Sequence, residues 1–240
     1  MKTIGLLGGM SWESTQTYYA LINREVKKRL GGLHSAKIIM VSVDFAEIEA
    51  LQVANDWDGA SRLLSRAAQQ LEAGGADCVA ICTNTMHEVF DQISASVAIP
   101  CIHIGDALGQ HAVALQYQSL GLLGTQFTME RPFLKDWLSE HYNIDVVVPE
   151  IDGRNDVHQI IYRELCLGEI NPKSRDRFIE VMHYLMEKDV DGIVLGCTEI
   201  GLLIDQSMID APVLDTTSLH AHYLVDFSLS NNERIALAEC

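Results

Sequence analysis

The stretch "ADCVAICTNT" (76–85) and its counterpart "VDGIVLGCTE" (190–199) decide the fold. Each is an apolar run of strand length that breaks into a cluster of small polar residues. Laid on one another, Asp77 falls on Asp191 and Thr83 on Cys197. A second pair agrees: "IGLLGGMSWE" (4–13) matches "LGLLGTQFTM" (120–129), with Gly8 on Gly124. A third, weaker pair sets "IPCIHI" (99–104) near "APVLDT" (211–216). The order of elements is kept and the offset drifts by only a few residues, as loop deletions would produce. Chance likeness among apolar strands is the bland explanation. Three matches in register favour an internal duplication.

Between the strand signals lie helix signals. Ser11 is placed to cap a helix over "WESTQTYYALINREVKKRL", which stops at Gly31 and Gly32. In it Tyr18, Ile22 and Val26 recur every four residues and form one buried stripe. "AKIIMVSVDF" reads as a second strand, and "DGASRLLSRAAQQLEA" as a helix ended by Gly74 and Gly75. Strands alternating with helices, each strand a near-continuous apolar run, imply a parallel sheet covered on both faces. The expected fold is therefore α/β: two pseudo-symmetric parallel-sheet α/β domains, 1–104 plus 216–240 and 105–215. The active site is expected in the cleft between them, where the carboxyl ends of equivalent strands can face one another.

Composition narrows the function. A length of 240 residues and 48% hydrophobic content support full cores. A net charge of −16 argues against nucleic acid or an anionic membrane as partner, since both reward clustered Lys and Arg. The apolar runs are strand-length, so no membrane span is expected. The N-terminus reads as a first strand rather than a signal peptide, and reduced thiols in the cytoplasm are the expected setting. None of the six cysteines makes a close CxxC pair. His220 and His222 lack partners at ligand spacing, so no metal site is expected. "GLLGGM" does not meet the dinucleotide fingerprint, and no phosphate-binding P-loop is present.

The four matched stretches are all strand-to-helix turns, which aim backbone N–H groups at a bound anion. Asn and Thr side chains add neutral donors. A pocket of two such ends suits a dicarboxylate and presents one reactive residue from each half, on opposite faces of the ligand. Racemisation needs that arrangement: an acid and a base on opposite sides of Cα. A thiol, whose pKa of ~8.5 falls near helix N-termini, suits the task. Without an imine cofactor, donors at the substrate carboxylate must stabilise the carbanion.

"LLGGMSWEST", "CTNTMH", "LLGT" and "GCTEIGLL" together resemble the aspartate/glutamate racemase family, which works without pyridoxal phosphate, and the likeness runs over essentially the whole chain. It is closest to the bacterial L-aspartate/glutamate-specific or broad-specificity racemases. The resemblance implies two pseudo-symmetric domains with the site between them, no cofactor, a small dicarboxylic amino-acid substrate and frequently a homodimer. In the family the first motif reads Cys-Asn-Thr, and its Cys pairs with the one in "GCTE". Here Cys197 matches the second cysteine, whereas the first falls on Thr83, not on Cys82. The resemblance therefore makes Cys197 the main base. Thr83, or a water it holds, returns the proton, and Thr83 is also placed for an N-cap. Asn84 and Thr85 are expected to anchor the α-carboxylate, and Met10, Thr125 and Thr198 to add substrate contacts. Gln52 is expected at the side-chain carboxylate, on a segment that otherwise reads as an amphipathic surface turn. Cys82 is expected to be a packed residue at the strand end. Two other readings stay open: arylmalonate-type decarboxylation or other enolate chemistry on the same scaffold, and a non-catalytic amino-acid-binding module.

Overall fold

The computed structural model describes residues 1–230; the end of the expected first domain, 231–240, and Cys240 lie outside the described residues. In the first half, β1 (Ile4–Gly8) leads into α1 (Trp12–Leu30), and β2 (Ile38–Ser42) into α2 (Phe45–Val53) and α3 (Trp57–Ala73). Strand β3 (Cys78–Ile81) passes through a 3₁₀ turn (Thr85–Val89) into α4 (Phe90–Ser94), and β4 (Cys101–Ile102) enters α5 (Ile104–Ala114). In the second half, β5 (Ser119–Leu123) is followed by α6 (Gln126–Glu130) and α7 (Phe133–Tyr142). Then come β6 (Asp145–Val147), α8 (Ile151–Arg163), a short 3₁₀ turn (Leu165–Leu167) and α9 (Pro172–Met186). Strand β7 (Gly192–Leu195), α10 (Ile200–Leu203), β8 (Val213–Asp215) and α11 (Thr216–Leu229) complete it.

The two halves are two four-stranded parallel sheets, ordered β2-β1-β3-β4 and β6-β5-β7-β8. The register repeats the sequence duplication residue by residue. Ile4 pairs with Cys78 as Leu120 pairs with Gly192, and Val79 with Cys101 as Ile193 with Val213. The matched aspartates do matching work at the opposite ends of the strands. Asp77 accepts the N–H of Thr3 at 2.6 Å, and Asp191 those of Gln118 and Ser119 at 2.7 and 3.0 Å. Burying β1, β3 and β7 on both faces explains why their residues alternate so little in polarity.

The helices follow from their ends and stripes. Ser11 caps α1 by accepting the N–H of Ser14, and Tyr18, Ile22 and Val26 are fully buried, as the spacing predicts. Helix α11 packs on α1 and α5, so the end of the described chain returns to the first half. Gly9 has φ +94°, and a Cβ there would meet the carbonyl oxygen of Val43 at 2.2 Å, so only glycine fits the turn after β1. Among the described residues no helix is long and apolar enough to cross a membrane.

Two expectations are revised. The segment after β2 is helix α2, not a surface turn: Asp44 caps it through the N–H of Ala46, and its Gln52 is buried. The helices that follow the 83–85, 124–125 and 196–199 turns are single turns of four or five residues. Their macrodipoles are correspondingly small, because the dipole grows with the number of aligned peptides. Of the four turns, only the one after β1 opens a long helix.

Candidate active site

The carboxyl ends of β1, β3, β5 and β7 converge on a cleft of about 320 Å³ between the two sheets. Its wall includes all eight residues singled out in the sequence: Met10, Gln52, Thr83, Asn84, Thr85, Thr125, Cys197 and Thr198. Cys82 is not in the wall. It is fully buried one residue earlier, in the apolar cluster that holds Leu6, Tyr18 and Cys78. The pleat explains this: successive side chains point to opposite faces, so a shift of one position exchanges core for cleft.

Cys197 lies in the turn after β7 and is partly buried. Its thiol donates to Glu199 Oε2 at 2.9 Å, and Ser11 Oγ, from the other half, donates to Glu199 Oε1 at 3.0 Å. Burial pushes the thiol well above the ordinary cysteine range, and the Glu199 carboxylate adds to the rise. This corrects the expectation of a thiol lowered by a helix N-terminus. The helix after it has four residues, and the nearest charge is negative.

Thr83 stands at the equivalent position after β3. It does not cap the following turn; Asn84 occupies that place and makes no side-chain cap bond. The Thr83 carbonyl is instead held by His87 Nδ1 at 2.9 Å. Asn84 is buried and committed on one side. Its Nδ2 donates to Thr216 Oγ1 at 3.0 Å, and Thr216 in turn donates to the carbonyl of Leu195 at 2.9 Å. Because the Thr216 proton is used on a carbonyl, Asn84 must meet it with the NH₂ group. Asn84 Oδ1 is left buried without a partner.

Hydroxyls stitch the halves together around the cleft. Thr85, Thr125 and Thr128 lie within 3.2 to 3.4 Å of one another. Thr217 donates to Thr198, which lies 2.7 Å from Ser14 Oγ, and Ser14 donates to the carbonyl of Cys82 at 2.9 Å. The Thr198 hydroxyl is thus spent inside the protein. Gln52 donates Nε2 to Met86 Sδ at 3.0 Å, a weak acceptor.

Several wall residues lie outside those expected from the sequence. Ser11, Glu13 and Trp12 come from the start of α1, Phe45 and Glu49 from α2, Ile161 and Tyr162 from α8, and Cys166 from the turn after it. Glu199 was legible in principle, two residues past Cys197 in "GCTE". The others reach the cleft by tertiary packing that no local pattern marks. The wall contains three glutamates and no Lys, Arg or His. A bound carboxylate is therefore left to backbone N–H groups and neutral side chains. Among the described residues, no three His, Cys, Asp or Glu side chains are grouped to hold a metal ion.

A family model described as Asp/Glu/Hydantoin racemase matches residues 7–224. A candidate Asp/Glu racemase from Yersinia pestis is 49% identical, with a TM-score of 0.91 over 96% of this chain and 100% of that one. An aspartate racemase homologue from Pyrococcus horikoshii OT3 is 30% identical, with a TM-score of 0.84 over the same shares. A glutamate racemase from Actinobacillus pleuropneumoniae is 28% identical over 129 residues, 53% of this chain and 47% of that protein. The chain spans about half the length of the curated relatives it matches.

Proposed function

The chain belongs to the Asp/Glu/hydantoin racemase family, and from that premise we propose that it is a cofactor-independent amino-acid racemase, an isomerase that interconverts enantiomers by proton transfer at Cα between Cys197 and Thr83. The observation that carries this reading is the pairing of those two side chains. They line one cleft from equivalent turns of the two halves, which supports a ligand held between them with one on each face. A division at 1–104 plus 216–240 and 105–215 belongs to the same proposal.

Each residue has a distinct part. Cys197 faces Hα of the L-enantiomer. Its proton must leave before it acts, and Glu199 at 2.9 Å is the acceptor in place. The thiolate then takes Hα and becomes a thiol. Thr83, or a water it holds, gives a proton to the opposite face of the carbanion. A hydroxyl is a much weaker acid than a thiol, so this return is the slow half. Thr85, Thr125, the backbone at Met10 and Asn84 Nδ2 hold the α-carboxylate, and the orphaned Asn84 Oδ1 accepts from the α-ammonium. Gln52 turns its amide from Met86 to the side-chain carboxylate.

Aspartate and glutamate are the substrates, as the names of the relatives suggest. Both enantiomers have equal free energy in water, so kcat/KM must be equal in the two directions. An L-preference can reside only in separate kcat and KM values or in slow proton return. The test is to add L-Asp or L-Glu and follow circular dichroism. Loss of optical signal to zero supports a racemase. Binding without loss would replace it with a binding module, and CO2 release from arylmalonates with decarboxylase chemistry. Light scattering tests the accompanying proposal of a homodimer.

A further inference from the structure

Three buried histidines converge on the segment that leaves the first sheet and starts α5. His220 Nε2 donates to the carbonyl of Ile102 at 3.2 Å, His103 Nδ1 accepts the N–H of Gly105 at 2.9 Å, and His87 Nε2 accepts the N–H of Ile104 at 3.1 Å. His87 alone also bonds to residues of the cleft wall. A backbone N–H can only donate and a carbonyl can only accept, so the partners fix its tautomer. Nε2 is bare, and Nδ1 carries the proton and donates it to the carbonyls of Thr83 at 2.9 Å and Asn84 at 3.2 Å. The ring is 3% exposed and packs against Phe90 and His103, so it cannot swing away. The second half has no counterpart: by the offset that sets Thr83 on Cys197, the equivalent of His87 is Gly201.

We propose that His87 is a positioning residue for proton transfer on the Thr83 face, holding the Thr83 carbonyl through the proton on its Nδ1. This rests on the reading of Thr83 and Cys197 as the two faces of a racemase. The physical reason for the asymmetry is the weakness of a hydroxyl as acid and base. A thiol tolerates some play, whereas a misplacement of about 1 Å can cost about 10²-fold.

Two isosteric variants separate clamping from bulk stability. Asn places its amide nitrogen near the imidazole Nδ1 and keeps the bond to Thr83. Gln reaches the Nε2 position and keeps only the contact with Ile104. Each leaves one backbone group unpaired, so both lose similar stability. In D2O, deuterium entry into L-substrate reports the Cys197 face and entry into D-substrate the Thr83 face. The expected result is that His87→Gln slows D-face exchange about tenfold or more. L-face exchange should stay within about threefold in both variants, and His87→Asn should keep D-face exchange. Parallel loss on both faces in both variants would overturn the proposal, as would unimpaired D-face exchange in His87→Gln. The ¹⁵N signals of His87 in the unaltered protein give a check that needs no variant. A proton on Nδ1 supports the clamp, and a proton on Nε2 overturns it. If the unaltered protein exchanges neither enantiomer of Asp or Glu, the racemase reading falls and takes this proposal with it, whatever the variants do.

Discussion

Cys197 Sγ lies 2.9 Å from Glu199 Oε2, and the same carboxylate is tied by its other oxygen to Ser11 of the opposite half. The contact acts on the thiol in two opposed ways: the negative charge disfavours the thiolate, yet in the proposed mechanism the carboxylate takes the thiol proton. Glu199→Gln separates the two effects. Without the charge, Cys197 ionises more readily, so iodoacetamide should label it faster at pH 8, read by mass mapping to tell it from exposed Cys166. Turnover of L-Asp or L-Glu should fall by about 10²-fold, the usual worth of a positioned proton acceptor. Slower labelling together with unchanged turnover would remove Glu199 from the mechanism.

Arg131 joins the halves by a different contact. Its guanidinium pairs with Glu88 at 2.7 Å, donates to Asn55 Oδ1 at 2.6 Å and lies 4.2 Å over the Trp57 ring. Glu88 Oε2 is already buried without a partner. Arg131→Ala should therefore cost about 1–2 kcal/mol, between the values for exposed and buried pairs. Arg131→Lys should recover part of it, because a lysine keeps the charge but not the planar fork. Urea unfolding measures both. A loss below about 0.3 kcal/mol in Arg131→Ala would show the pair to be screened like a surface contact.

Acid should loosen the structure through its histidines. Burial lowers His87 to about 4 and His220 to about 3, and holds His103 well below its usual value. In the unfolded chain each would bind a proton near pH 6.5. Between about pH 6.5 and 4 the unfolded state thus holds more protons than the folded one. Stability is complete above that window and falls as pH drops through it, by up to about 1.4 kcal/mol per pH unit for each imidazole. Urea midpoints at pH 7 and pH 5 check the sign. His220→Gln, which removes one such group, should narrow the difference between the two.

The fold was legible because the duplication is legible. Asp77 and Asp191 tie equivalent backbone groups, and strands buried on both faces keep apolar runs that align. The cleft was legible for the same reason. Once Thr83 falls on Cys197, the pleat sends Cys82 to the core, although a thiol beside "TNT" looks the more reactive residue. What could not be read is what arrives by packing. Tyr162 and Glu49 come from helices whose rotation about their axes no local pattern fixes. The state of the thiol was not legible because the length of the helix after it, and the side chain of Glu199 folding back on Cys197, are properties of the turn in space. His87 carries no signal beyond its place in "CTNTMH", since its ring bonds are all to backbone groups, on segments far apart in the sequence.

The roles of Thr83 and Cys197 meet their most direct test in deuterium exchange at Cα, followed by NMR for each enantiomer of Asp and Glu in D2O. Deuterium should enter the L-substrates readily and the D-substrates slowly. Thr83→Cys should raise turnover of the D-substrates, and Cys197→Ser should abolish exchange from the L side. Equal entry into both enantiomers at saturation would contradict the asymmetry of the two faces. An active Cys197→Ser protein alongside an inactive Cys82→Ser protein would contradict the assignment itself.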